Sequence, residues 1–412
     1  MEPLPLFKNP KERIYLSFFL LILFSFNLFL NYSQYQKFIH NEVFYTQGEI
    51  INIYEKEKYN ILKISTNNFT FFTPTNKSTI YKKLQRINIY VVTKEVTFYE
   101  YLKGFYAKSF NIYPIKTSNN KTALAQFITE QHQNSSIASL YSALFLATSV
   151  DATIRELCSN FGISHLVAIS GFHLGVISLV LYFLLHLLYN NIHQRYFPYR
   201  NKRFDIMLVI SAILFSYLLF VDLVPSLLRA FVMFIFGLFL LRNNIKLLSF
   251  ETLFIVVVFI LALFPKLLFS LSLWFSVAGV FYIFLFLHYF KDLNKYIQLI
   301  LFNFWIYLAM NPIVHYFFTT TTLEQLLSPI FTLLFTIFYP FVALLHILQI
   351  GNLLDNLLLS LINYDLTPTD IETPFLFFLF YIVISVLSIF YKKIFIVLNI
   401  SFLLFNLVLF IK

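Results

Sequence analysis

From Leu157 to Gln194 the chain runs for 38 residues without one formally charged side chain. A helix needs about 20 consecutive apolar residues to cross the hydrocarbon core of a bilayer. A run of this length therefore calls for membrane helices. Further uncharged runs follow at Ile206–Val221, Thr252–Pro265, Leu267–Phe290, Tyr296–Leu323, Gln325–Leu354, Thr373–Tyr391 and Ile394–Ile411. Arg229 alone interrupts another apolar stretch between Leu223 and Leu241. Only 12% of the residues are charged, against about 25% in soluble domains. Ordinary soluble, disordered and collagen-like classes are excluded. The expected architecture is a polytopic all-α membrane bundle of about 8–10 crossings.

The charged breaks give this bundle an orientation. Arg195/Arg200/Lys202/Arg203, Arg242/Lys246, Lys291/Lys295 and Lys392/Lys393 recur after every second crossing. That is the distribution expected when all four face the cytoplasm. At the other end of the chain, Lys8, Lys11 and Arg13 precede the uncharged run Ile14–Leu30. No small-residue cleavage site follows it. Residues 1–30 are read as a cytoplasmic head and an uncleaved signal-anchor. The single cysteine, Cys158, rules out a disulfide framework within one chain.

Residues 31–122 differ from the rest. They hold 13 Lys/Arg and 6 Glu, a net charge of +7, and no run long enough to span. Strand-like patterning appears at Val43–Tyr54, Asn60–Ser65, Phe69–Thr73, Ile87–Thr97 and Phe110–Ile115, with Asn67-Asn68 and Thr75-Asn76 as turns. Five short strands predict a small all-β barrel or open sheet, exported after the first span. Long loops translocate largely regardless of charge, so the positive balance is no obstacle. Residues 123–412 form the polytopic part. Within it, Leu124–Arg155 is expected as an interfacial amphipathic helix. Gln325–Thr373, with prolines at 329, 340 and 368, fits a re-entrant or interfacial segment better than two ordinary spans.

Three constellations carry the chemistry. The first is Gly162-Ile-Ser-His-Leu-Val-Ala-Ile-Ser-Gly-Phe-His-Leu-Gly175. On one continuous helix, Ser164, Ala168, Gly171 and Gly175 fall within an arc of about 60°, a small face for close helix packing. His165, Ser170 and His173 then lie around the other side. They either bond neighbouring helices or face a water-filled path. The second is Asp222 with Pro225-Ser-Leu-Leu-Arg-Ala230. A mid-membrane Arg costs about 2.5–3.5 kcal/mol on insertion scales, so Arg229 needs a partner such as Asp222 or a wet cavity. The third is Ser272-Leu-Trp-Phe-Ser-Val-Ala-Gly-Val280, where Ser272, Ser276 and Gly279 form another small face. Neither a Walker loop, an H-E-x-x-H string nor a G-x-S-x-G string occurs. No catalytic residue, metal or cofactor is expected.

These three strings, in this order, resemble the competence domain of the ComEC family of DNA-uptake channels. The first matches the family's G-L-S-H-L-L-A-I-S-G-L-H-V-G nearly position for position. The second matches its P-x-x-x-R-A element, and the third echoes S-F-W-L-S-F-x-A-V. The exported β module resembles the family's OB-like N-terminal module. The resemblance covers most of residues 1–350. Many family members carry a metallo-β-lactamase-like domain with an H-x-H-x-D-H string, which this sequence lacks. A short form without that nuclease is expected.

The resemblance implies transport of single-stranded DNA across the inner membrane during natural transformation. His165, Ser170, His173 and Arg229 are then expected along the DNA path. A basic, aromatic-rich barrel suits sequence-tolerant single-strand binding. The implied partners are single-stranded DNA, membrane lipid, a periplasmic DNA receptor, and a cytoplasmic motor or DNA-binding proteins. Two other readings stand beside this one. A solute or envelope-lipid transporter or flippase would be favoured by internal repeats. An intramembrane hydrolase would be built on His165, Ser170 and His173.

Overall fold

The structure is a computed structural model that describes residues 9–411, apart from 78, 80, 116–119, 222, 244–248 and 365. The first helix, α1 (Pro10–Ile39), opens with a proline in its first turn, where no backbone N–H is lost. It does not stop at the end of the apolar run. It continues for two more turns, and its last aromatic residues enter the β module. Phe38 is buried in the module's core, and the Tyr35 hydroxyl donates to the Val96 carbonyl at 2.9 Å. The expected boundary at residue 31 therefore moves to about residue 40, because the anchor's end is itself core.

All five expected strands form, as β1 (Val43–Glu55), β2 (Asn60–Ser65), β3 (Thr70–Thr75), β4 (Arg86–Val92) and β6 (Ser109–Pro114); a sixth, the two-residue β5 (Phe105–Tyr106), follows helix α2 (Phe98–Lys103) and runs into β6. The fourth strand is shorter than expected. Thr97 and Glu100 form a reciprocal capping box that starts α2 instead. Antiparallel neighbours run β3-β2-β1-β4-β6, while β5 pairs parallel with β3. One segment, 105–114, thus supplies both edge strands of the six-stranded sheet. Ile50, Leu62, Ile64, Phe71, Ile87, Ile89 and Val91 alternate inward, each with no exposed surface. A bulge between Ile50 and Asn52 bends β1.

The module is bolted to the helices at two points. Lys83 Nζ donates to the Ser149 and Val150 carbonyls at 2.8 and 3.2 Å, and Ser149 Oγ donates to the Ile51 carbonyl. Burial pushes the Lys83 ammonium below its ordinary pKa, while Asp151 pulls it back up. On the other side Lys266 donates to the Asn68 carbonyl and lies 5.2 Å from the Tyr101 ring.

The helical part comprises α3 (Asn120–Thr129), α4 (Ser135–Leu146), α5 (Ala152–Asn160), α6 (Ser164–Val167), α7 (Gly171–Tyr196), α8 (Lys202–Phe220), α9 (Pro225–Arg242), α10 (Phe250–Leu263), α11 (Leu271–Phe290), α12 (Lys295–Phe317), α13 (Ser328–Ile347), α14 (Asp355–Ile362), α15 (Phe375–Leu387) and α16 (Lys392–Ile411). Among the described residues seven helices are long and apolar enough to cross a membrane: α1, α7, α8, α11, α12, α13 with the turn before it, and α16. Lys266 sits in the α10–α11 turn beside the module. The basic turns α7–α8, α11–α12 and α15–α16 lie at the other end of the helices they join. There Arg13 pairs with Glu251 at 3.0 Å and Arg200 with Asp205 at 2.8 Å.

Two expectations for the connecting segments change. Residues 124–155 are not one interfacial helix. They are shared among three short helices, and α4 buries Ile137, Leu140, Tyr141 and Leu144 at once. A helix apolar on all sides belongs inside a protein. The excursion after α12 is not short throughout: α13 with the turn before it is long and apolar enough to cross. Strand β7 (Thr320–Thr321) pairs with β8 (Thr369–Asp370), so residues 322–368 leave and return at one place. The returning helix α14 has 8 residues, too few to cross.

Gly48 gives the module its tightest point. A Cβ there would stand 2.5 Å from Ile64 Cγ2 and 3.0 Å from the Ser65 carbonyl oxygen. Gly48→Leu should destabilise the protein by about 1–3 kcal/mol, the usual cost of overpacking. Thermal unfolding of the purified protein in detergent checks this: the midpoint should fall for Gly48→Leu and hold for a change at exposed Tyr59.

Candidate functional site

The three sequence constellations become the N-termini of three helices. The first does not lie on one helix. Helix α6 ends at Val167, Ala168 and Ser170 are extended, and α7 begins at Gly171. The predicted arc of Ser164, Ala168, Gly171 and Gly175 is therefore not formed, because a helical projection does not cross an extended break. The break occurs where the residues can cap it. Ser170 Oγ accepts from the Phe172 N–H, and His173 Nδ1 accepts from the Ser170 N–H at 3.3 Å. Together they make a reciprocal capping box in which His takes the place usual for Glu or Gln.

This arrangement fixes the state of His173. Its Nδ1 is an acceptor, so the neutral ring carries its proton on Nε2. That Nε2 has no hydrogen-bond partner. The ring has no exposed surface and stands edge-on to Phe335 and Tyr339, at 5.3 and 4.9 Å between centroids. The expectation that His173 faces a wet path is corrected: it caps α7 and packs against α13. The Ser170 hydroxyl is likewise engaged in the cap.

His165 differs. It is exposed, and its Nε2 lies 3.3 Å from Thr332 Oγ1 on α13. Thr332 donates its own proton to the Ser328 carbonyl, so His165 is the donor. The loop before it is held from α13 and the turn preceding it. Ser328 Oγ donates to the Gly162 carbonyl, Gln325 Nε2 to Ser159 and Thr322 Oγ1 to Asn160. Gly162 has φ +65°, a left-handed value that favours glycine. These supporting residues lie more than 150 positions away in sequence, and no local pattern marked them.

Arg229 sits in the second turn of α9 and is 4% exposed. One guanidinium nitrogen donates to the Ser272 carbonyl at the start of α11, at 2.8 Å, while Nε has no partner. Asp222, the expected partner, lies outside the described residues. A Cβ on Gly171 would be 3.4 Å from the Ala230 Cβ, so α7 and α9 approach closely there. A Cβ on Gly175 would meet nothing within 4 Å, and the same holds at Gly279. Gly175 is therefore not a packing residue. Ser270 caps α11, accepting from the Leu273 N–H. Ser276 is half-buried one turn further on.

Three helices thus begin at one level around one buried arginine, on the module's side. A helix N-terminus carries about half a positive charge. The site is electropositive by construction, and the groups on hand can hold phosphate or carboxylate oxygens. Among the described residues no group of three His, Cys, Asp or Glu could hold a metal ion.

Comparison with known proteins gives one match. The sequence pattern of the family described as "Competence protein" fits residues 147–410. No curated protein and no solved structure matches the chain.

The two glycines should respond differently. Gly171→Leu drives a side chain into Ala230 and should reduce folded protein in the membrane, whereas Gly175→Ala should leave its amount unchanged. Membrane protein level and detergent-extracted monodispersity measure both. Equal tolerance at the two positions would remove the close α7–α9 approach as a folding requirement.

Proposed function

The chain belongs to the competence protein family, and from that premise we propose that it conducts single-stranded DNA across the bacterial inner membrane during natural transformation. The family match carries this reading, since it covers most of the helical part, from residue 147 to 410. At the family level this is a role in DNA uptake by a multi-pass membrane protein. The N-terminus and the four basic turns face the cytoplasm, following the positive-inside rule, and the module faces the periplasm.

Two features support DNA as the substrate. The first is the electropositive level described above, where Arg229 and three helix N-termini meet a strand arriving from the module's side. His165 lies on the protein surface. The second is on the module, a six-stranded sheet that we read as OB-like. Tyr45, Tyr90 and Phe110 occupy paired positions on β1, β4 and β6. Their rings follow one another at 5.2 and 5.6 Å, and the Tyr90–Phe110 pair is tilted by only 10°. Tyr45 and Phe110 are exposed. Such a ladder on a basic module offers faces on which successive bases stack, worth about 1–3 kcal/mol each. No nucleotide-binding loop occurs in the sequence. A periplasmic receptor would deliver the strand, and cytoplasmic proteins or the membrane potential would pull it.

Arg229→Gln should leave membrane levels intact and lower transformation frequency at least tenfold. Arg229→Lys should retain part of the function if charge alone matters and little if the planar fork matters. DNA should still accumulate in the periplasm of these strains. Normal transformation by Arg229→Gln at normal protein level would remove Arg229 from the path.

A second test bears on the module. Tyr45→Ala with Phe110→Ala should weaken binding of single-stranded oligonucleotide to the full-length protein about tenfold or more, with little dependence on sequence. Binding by the unaltered protein should fall steeply as salt rises. The measurement is fluorescence anisotropy in detergent. Unchanged affinity in the double variant would make the ladder a surface without that role.

A further inference from the structure

Away from the three helix N-termini, three side chains from distant parts of the sequence meet inside the protein. His132 follows α3, His346 lies in the last turn of α13 and Asp355 opens α14. His132 Nδ1 is 2.9 and 3.1 Å from the two Asp355 carboxylate oxygens. His132 Nε2 is 3.0 Å from His346 Nε2. His346 Nδ1 is 2.7 Å from the Val342 carbonyl. The His132 side chain has no exposed surface.

The protons in this chain can be counted. A carbonyl only accepts, so His346 Nδ1 carries a hydrogen and the Nε2 of its neutral ring is a lone pair. That lone pair faces His132 Nε2 at hydrogen-bond distance, so a proton must lie between the two nitrogens. At the other side of the His132 ring, Nδ1 is close to both carboxylate oxygens at once. A protonated carboxyl would direct one O–H from one oxygen. The forked approach is that of an N–H shared by an ionised carboxylate. Three hydrogens are thus needed for the three contacts, one more than two neutral rings carry, and the ionised Asp355 offsets the extra charge on the His132–His346 pair.

We propose that His132 and His346 form a buried proton-binding site, neutralised by Asp355, that clamps the α3–α4 hairpin to the α13–α14 excursion. The ligand is a single proton. Removing it forces a conflict that no tautomer resolves. A neutral His132 either turns a lone pair toward the Asp355 carboxylate or turns one toward the His346 lone pair. A second proton, on His346 Nε2, sets two N–H groups against each other. The clamp is complete with one shared proton and is lost on either side.

The surroundings fit a closed site. Tyr141 of α4 stacks on the His132 ring at 4.8 Å and 12°, and lies 4.5 Å from the His346 ring. Gln131 ties the same corner twice: its Nε2 donates to the His346 carbonyl and its Oε1 accepts from the Gly351 N–H. Gly351 has no room for a side chain, since a Cβ would stand 2.7 Å from Gln131 Oε1 and 2.9 Å from His346 Nε2. The titratable groups facing the pair are Tyr141 from α4 and Asp355 from α14. Tyr339 of α13 stands one ring further, beyond Phe145, and Cys158 of α5 belongs to the same apolar cluster.

The test uses full-length protein, purified without chelator and labelled with ¹⁵N-histidine in lipid bilayers, with ring nitrogen shifts read across pH 5–9. Single variants His132→Gln and His346→Gln assign the signals. The expected result is one ring protonated on both nitrogens near neutrality, and one ring with a single lone pair, losing their coupling together as pH rises. Thermal unfolding in detergent gives a second readout. The unaltered protein should lose stability with rising pH more steeply than His132→Gln, and Asp355→Asn should begin to lose it at lower pH. Two neutral rings at pH 6–7 would overturn the proposal, as would parallel pH profiles for the unaltered protein and His132→Gln. One bound divalent metal per chain, whose removal by chelator destabilises the protein, would also overturn it.

Discussion

A backbone inside a membrane must satisfy its own polar groups, and the break between α6 and α7 is where this constraint is most severe. Residues 168–170 leave the helix, so carbonyls and amides that a continuous helix would pair need other partners. They find them locally in the Ser170–His173 cap. The turn before α6 has the same need, and the excursion 322–368 meets it. Its first turn supplies the donors for carbonyls 159, 160 and 162. Without the excursion the α5–α6 turn would leave those carbonyls unpaired, and without the break α7 would not begin beside α9.

Much of the architecture is legible in the sequence because one-dimensional patterns match one-dimensional causes. Charge spacing marked the basic turns, and alternating apolar residues marked every strand of the module except the two-residue β5. Helix periodicity failed in one place for a definite reason. Ser164 to Gly175 contains Ala168, Ser170 and two glycines, all compatible with a helix in composition. Nothing in the string marks position 168 as extended. The decisive partners, Phe335, Tyr339 and Ser328, are supplied by the fold. The same holds for His132, His346 and Asp355, which are spread across more than 200 positions and show no spacing that a motif search would detect.

The anchor and the module illustrate a second limit. The uncharged run ends at Leu30, so hydropathy places a boundary there. The helix continues because Tyr35 and Phe38 have a core to enter and a carbonyl, Val96, to bond. Hydropathy reports the solvent a segment prefers. It does not report a helix that passes from lipid into a protein interior without changing its geometry. One consequence is mechanical. With α1 continuous, and with Lys83 and Lys266 bonded across the junction, the module and the helices move as one piece at that end.

Small residues in membrane helices have two physical uses, and this chain has both. At Gly171 the missing side chain lets α9 come close, as a packing motif predicts. At Gly175 and Gly279 the missing side chain meets no neighbour at all. A glycine costs helix stability relative to alanine, about 1 kcal/mol in a helix interior. A close neighbour offsets that cost at Gly171, but nothing in contact does so at the other two. At those two positions the backbone of α7 and α11 is uncovered by neighbouring protein atoms, whereas a side chain at Gly171 would press on Ala230.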